Sequence, residues 1–94
     1  MIVENPSNYK LDRFEKSKTS TKKYDAVLIN KTTKREKRIP FGAKGYEHYK
    51  DKALGLYSKY DHNDKKRRES YRKRHSGEEK RKFSSGYFAW KYLW

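Results

Sequence analysis

The chain contains no cysteine, which excludes a disulfide framework and a thiolate metal site. Its apolar runs fall well below the roughly 18 residues that a membrane-spanning helix requires. The first residues also lack the charged and apolar regions of a signal peptide. We therefore expect a protein that is not an integral membrane protein and that resides inside cells or particles.

Acidic residues are scarce relative to basic ones. The 94 residues include 12 Asp and Glu but 26 Lys and Arg, which gives a formal net charge of +14. Such an excess favours a polyanionic partner: nucleic acid, an acidic or phosphorylated protein surface, or anionic lipid headgroups. The length fits one small domain with a modest core, and charge alone does not choose among the partners.

Two neighbouring segments of the second half differ sharply in composition. Residues 65–75 carry seven Lys or Arg against one Glu, whereas half of residues 83–94 are Phe, Tyr or Trp. Aromatic side chains bury large surfaces, and a disordered basic tail would not carry so many of them. The sequence thus predicts a small folded domain that displays positive charge. Its predicted core includes Tyr87, Phe88, Trp90 and Trp94.

The pattern along the chain predicts a small single domain of the α+β class. Residues 1–21 show no periodicity and predict an extended arm, flexible or docked on a partner, ahead of a basic domain over residues 22–94. In that domain, residues 24–29 and 34–41 predict the strands of a β-hairpin. Pro40 is compatible only with the end of the second strand or with a sheet edge.

Two or three short helices are expected to pack with this hairpin. Asp61 and Asp64 are N-cap candidates that favour a helix over residues 64–75. Ser84 or Ser85 is expected to cap a last helix that runs to residue 94. Between hairpin and helices, residues 46–60 have weak helical spacing, so part of this segment is expected to form a short helix.

The helix over residues 64–75 and the exposed second strand of the hairpin, residues 34–41, together form the predicted polyanion-binding surface. Its residues are Lys65, Lys66, Arg67, Arg68, Arg72, Lys73, Arg74, Lys37 and Arg38. The alternative is a solvated helix supported by local ion pairs, but seven cations exceed what the pairs Asp64–Arg68 and Glu69–Lys73 neutralise. Residues 65–68 also resemble a basic nuclear import signal, as a second use of the segment.

Tyrosines interleaved with lysines allow two interpretations. Tyr46, Tyr49, Tyr57 and Tyr60 have the composition of a surface that stacks on unpaired bases. They also suit a core, which we favour because the chain has few aliphatic residues to bury.

Catalysis has weaker support in the sequence. The three histidines, His48, His62 and His75, lack paired ligand spacing, and no nucleophile elbow or phosphate loop occurs. We therefore expect no enzyme activity, no metal, no other cofactor and no small-molecule substrate.

One ordered set of residues runs through most of the chain: Phe41, Gly42, Tyr46, Tyr49, Asp51, Lys52, Gly55, Tyr57, Ser58, Asp61, His62, Asp64, Lys65, Lys66, Arg67, Arg68, Tyr71, Arg74, His75, Gly86, Tyr87, Phe88, Leu93 and Trp94. This combination resembles a family of small basic proteins encoded by large nucleocytoplasmic DNA viruses. The resemblance covers about residues 24–94 and implies no particular biochemical activity. It implies that one structural or functional unit contains Asp61, His62, Asp64, Arg67, Arg68, Tyr71, Arg74 and His75.

The viral context implied by the resemblance gives two competing functions. The first is a virion-associated protein that binds nucleic acid, DNA in the first place, without sequence specificity. The alternative is a minor capsid or cement protein that bridges larger viral capsid proteins through apolar anchors such as Phe14 or Trp94. Either function places the protein in the virion, or in the cytoplasm or nucleus of the infected host cell, and the oligomeric state is left open.

Overall fold

The computed structural model describes residues 5–94. Within this range the chain forms an antiparallel sheet of three strands in the order β1-β2-β3, together with two α-helices. The elements are β1 (Tyr9–Lys16), β2 (Lys22–Asn30), β3 (Glu36–Ala43), α1 (Lys65–Arg74) and α2 (Ser85–Tyr92). One-turn 3-10 helices occupy Pro6–Asn8, Ser58–Tyr60 and Glu78–Lys80. The predicted α+β class is confirmed.

The predicted hairpin corresponds to β2 and β3. Tyr24 lies opposite Phe41, and Ala26 lies opposite Ile39, so alternate residues of both strands share one apolar face. Pro40 lies on an edge strand, where its missing N–H removes no bond from a second neighbour.

Strand β1 occupies part of the segment that we expected to be an arm. Phe14 lies opposite Ala26, and the pairing shifts between Leu11 and Arg13, which is a β-bulge or a similar irregularity. An extra residue breaks the two-residue alternation on which strand prediction depends, and this explains why the strand was not predicted. Residues 1–4 of the expected arm lie outside the described residues.

The core lies between one face of the sheet and helix α2. Phe88 is fully buried, with its ring centroid 5.6 Å from that of Phe41 and 6.1 Å from that of Phe14. Of the other predicted core residues, Tyr87 and Trp94 pack partly buried against this cluster. Trp90 is half-buried and lies against the guanidinium group of Arg72 rather than in the cluster.

The opposite face of the sheet carries a network of ion pairs. Arg13 contacts Glu15 at 2.5 Å and Glu36 at 2.8 Å, and Arg38 contacts Glu15 at 2.9 Å and Asp25 at 3.6 Å. Arg38, which we predicted to bind polyanions, is therefore engaged by two carboxylates of its own sheet. Lys37 lies opposite Leu28, on the face of the sheet that carries the core, and it is half-buried.

No helix within residues 5–94 has both the length and the apolar character needed to cross a membrane.

Candidate nucleic-acid interface

Helix α1 forms where the sequence predicted it, from local signals. The side chain of Asp64 accepts hydrogen bonds from the backbone N–H groups of Lys66 (2.9 Å) and Arg67 (3.3 Å), which caps the helix. Its last turn contains three basic residues, where the helix dipole favours positive charge. No residue of α1 is buried, so the whole helix lies at the surface.

Four aromatic rings in a row connect α1 with the segment after α2, and we call them the aromatic column: His62, Trp94, Tyr71 and His75. The Trp94 and Tyr71 rings are 4.2 Å apart and almost parallel, at 3°. His75 lies 4.2 Å beyond Tyr71, and His62 lies 5.2 Å from Trp94. Burial raises the pKa of Tyr71 to about 12. The aromatic column thus gives a packing role to three residues of the unit that the resemblance implies: His62, Tyr71 and His75.

Some cations of α1 are engaged within the domain. The guanidinium of Arg68 lies 4.5 Å from the ring of Tyr49, and that of Arg72 lies 5.1 Å from Trp90. Arg72 also donates to the backbone carbonyl of Trp94 at 3.0 Å. These two predicted binding residues therefore help to hold the helix in place.

The remaining cations of α1 face solvent. Arg67 is exposed and forms one ion pair, with Glu47 at 3.1 Å. The others are exposed and have no side-chain hydrogen bond or ion pair within residues 5–94: Lys65, Lys66, Lys73 and Arg74. Their charges are available to a partner.

A groove of about 690 Å³ lies between α1 and the adjoining ends of β2 and β3. Two smaller hollows adjoin this groove. The hollow of about 540 Å³ shares Tyr46 with it, and the hollow of about 330 Å³ shares Arg67. We call the three together the basic groove. Its basic lining residues are Lys22, Lys23, Lys44, Lys66, Arg67 and Arg74. Within residues 5–94, its single acidic lining residue is Glu47.

The backbone at Gly42 also shapes this groove. Gly42 has a φ of +79°, and a Cβ there would lie 2.7 Å from Cδ1 of Leu93. Glycine therefore permits both the turn at the end of β3 and the close approach of Leu93.

A buried chain of polar contacts forms one wall of the groove. Nζ of Lys23 donates to the carbonyl oxygen of Tyr46 at 2.5 Å and lies 3.0 Å from Nδ1 of His48. Nε2 of His48 lies 2.6 Å from a carboxylate oxygen of Asp61. Lys23 and His48 are each only 1% exposed. These contacts assign the tautomer in which Nδ1 accepts from Lys23 and the Nε2–H donates to Asp61.

This buried chain holds the turn before His48 in place. Burial, together with the nearby charge of Lys23, lowers the pKa of His48, which favours its neutral form. The sequence does not reveal this set of residues, because its members lie 25 and 13 residues apart along the chain. Lys23 stands beside Lys22 just before the apolar run of residues 24–29, where no local pattern marks it as buried.

The neutral state of His48 predicts that the domain loses stability in acid. The unfolded chain binds a proton below the ordinary pKa of 6.5, whereas the folded chain resists it. The contribution of neutral His48 to the free energy of unfolding is therefore complete above a pH of about 6.5, and it decreases as the pH falls below that value. Between about pH 7.5 and about pH 5.5 the free energy of unfolding should fall on the order of 1 kcal/mol, measured by urea denaturation.

A matched variant separates this effect from general acid sensitivity. His48→Gln should be less stable at neutral pH but should show a smaller change between the two pH values. His62, whose pKa burial also lowers, would supply part of the remaining change. Equal pH dependence in wild type and variant would contradict the assignment of a neutral His48.

Asp51 organises the long connection between β3 and α1. It accepts the hydroxyl of Tyr24 at 2.5 Å, the N–H of Tyr57 at 3.0 Å and the N–H of Ala53 at 3.0 Å. The backbone therefore closes around a carboxylate rather than winding into a regular helix, and only the 3-10 turn Ser58–Tyr60 forms.

Comparisons with protein-family models, with curated proteins and with solved structures find no match to this chain. The viral resemblance consequently stays a prediction. Within residues 5–94, no group of three or more His, Asp or Glu side chains is placed to hold a metal ion. The arrangement with the clearest chemistry is the cationic surface formed by α1 and the basic groove.

Proposed function

We propose that this protein binds nucleic acid without sequence specificity, through the cationic surface formed by α1 and the basic groove. The supporting observation is the segregation of charge: among residues 5–94, the groove is lined by five basic residues besides the buried Lys23, and by one acidic residue. Lys65 and Lys73 of α1 add charge that has no ion-pair partner within the same range. We propose no enzymatic activity for this surface.

The dimensions of α1 suit a phosphate backbone. Ten helical residues extend about 15 Å, and duplex DNA carries one charge per roughly 1.7 Å of its axis. Exposed lysines act as flexible point charges that follow phosphates and carry no direct sequence information. DNA is the first expected partner, and the virion or the infected cell is the expected location, because of the resemblance of residues 24–94.

The proposal is tested by measuring the salt dependence of duplex binding. In the variant Lys65→Gln, Lys66→Gln, Lys73→Gln and Arg74→Gln, we expect the slope of log K against log salt to decrease by about 0.9 per lost phosphate contact. The control variant replaces four exposed cations at the far end of the sheet with Gln: Lys10, Lys31, Lys34 and Arg35. Arg68 and Arg72 are left intact because they pack on aromatic rings.

Both variants lose four positive charges, so their difference reports where the nucleic acid lies. We expect the control to keep most of the wild-type slope. Equal losses would mean that net charge alone drives binding, and an unchanged slope in the α1 variant would remove this helix from the interface.

A minor capsid or cement function is the second candidate. Leu54 and Leu56 are large apolar residues that are 47% and 58% exposed, as expected of anchors for a protein partner. Phe14, one of the anchors expected from the sequence, instead packs against Phe41 and Tyr92. Loss of particle association in a Leu54→Ser, Leu56→Ser variant that binds DNA normally would favour this function.

A further inference from the structure

Tyr46 has an unusual position at the mouth of the basic groove. It is 71% exposed, more than the other exposed large apolar residues, Leu54 and Leu56. It lines both the 690 Å³ groove and the adjoining 540 Å³ hollow, as Lys22 does, and Arg67 lines the first of the two. This exposed residue therefore belongs to the cationic surface.

The backbone beneath this ring is held firmly. The carbonyl oxygen of Tyr46 accepts the buried ammonium group of Lys23 at 2.5 Å, and its N–H donates to Ala43 at 3.4 Å. The ammonium group is in turn fixed by His48. Because the backbone is already held, a ligand that covers the ring has only the side-chain torsions of Tyr46 left to order.

Tyr46 also differs from the other tyrosines that we considered as stacking residues. Arg68 covers the ring of Tyr49, Tyr57 is buried against Tyr24, and Lys59 lies over Tyr60. The ring of Tyr46 has no aromatic or cationic partner within residues 5–94. It is the one of the four with a face left for a base.

We infer that the basic groove binds an unpaired nucleic-acid strand, with one base stacked on Tyr46 and the flanking phosphates held by Lys22, Lys44 and Arg67. This inference rests on the proposed function and specifies its substrate. A base has a free face for stacking only where the strand is not paired. The groove volume also falls in the range of sites that enclose a small organic group.

The test compares Tyr46→Ala with wild type on three probes: a thymidine oligonucleotide, the same backbone without bases, and a random-sequence duplex. We expect the variant to bind the oligonucleotide about 5- to 150-fold more weakly, since this is the usual contribution of one stacked base. Affinities for the abasic strand and for the duplex should be unchanged. Tyr46→Trp should restore oligonucleotide binding, and the control Leu56→Ala should alter none of the three.

The outcomes separate the two proposals. If wild type binds none of the three probes, the nucleic-acid function itself is wrong. If wild type binds them with a steep salt dependence but Tyr46→Ala has no effect, or weakens all three equally, only the stacking role is overturned. A selective loss on the thymidine oligonucleotide, recovered by Trp, supports the inference.

Discussion

Replacement of Phe88 by alanine is expected to lower the free energy of unfolding by about 3–5 kcal/mol. The Phe88 side chain is fully buried, and its ring lies 5.6 Å from Phe41 of the sheet and 5.8 Å from Phe83. The change removes the ring that joins α2 to the sheet and leaves a cavity in a small core. Because domains of this size are typically stable by about 5–15 kcal/mol, the loss would be a large fraction of the total.

Urea denaturation followed by circular dichroism and tryptophan fluorescence measures this effect. Phe88→Leu, which retains part of the volume, should lose less stability than Phe88→Ala and gives a usable value if the alanine variant fails to fold. Leu54→Ala, at a 47% exposed position, should change stability by less than about 0.5 kcal/mol. Similar stabilities for the Phe88 and Leu54 variants would contradict the packing of α2 on the sheet.

Replacement of Asp51 by asparagine is expected to lower the free energy of unfolding by about 3 kcal/mol. The asparagine amide would face the hydroxyl of Tyr24 and two backbone N–H donors that the carboxylate now satisfies. Burial opposes the charge of Asp51, but these hydrogen bonds outweigh it and keep the pKa of Asp51 below its ordinary value.

A double-mutant cycle with Tyr24→Phe isolates the contact between the two side chains. We expect a coupling energy of about 0.5–3 kcal/mol, since the hydroxyl and the carboxylate share one buried network. The wild type should also lose stability as the pH falls below the ordinary pKa of 3.8, because the unfolded chain then binds the proton more readily. An Asp51→Asn variant with the same acid dependence as wild type would contradict this role.

Features of the fold that depend on near neighbours in sequence were predictable. Both helices begin at a capping side chain, Asp64 or Ser84, that satisfies N–H groups two or three residues ahead. The hairpin was equally clear, since a polar turn separates its strands. Strand β1 was not predictable in the same way, because the shift in pairing after Leu11 hides its alternation.

The candidate site shows a similar division. Composition identified the cations of α1 but not which of them the domain itself engages, since Arg68 and Arg72 pack on rings from elsewhere in the chain. The contact of Lys23 with His48, and the freedom of the Tyr46 ring, follow from tertiary packing. Such pairings, which span 18 to 25 residues, leave no periodic signal.

The ion pairs on the outer face of the sheet affect the rate constant for association with a partner. Four carboxylates gather there around Arg13 and Arg38, those of Asp12, Glu15, Asp25 and Glu36. These carboxylates neutralise Arg13 and Arg38, so the two arginines add little to the attraction of a polyanion. Cations without such partners among residues 5–94, such as Lys65, Lys66 and Lys73 of α1, contribute more to that attraction. Attraction of this kind raises the association rate constant at low ionic strength more than it slows dissociation.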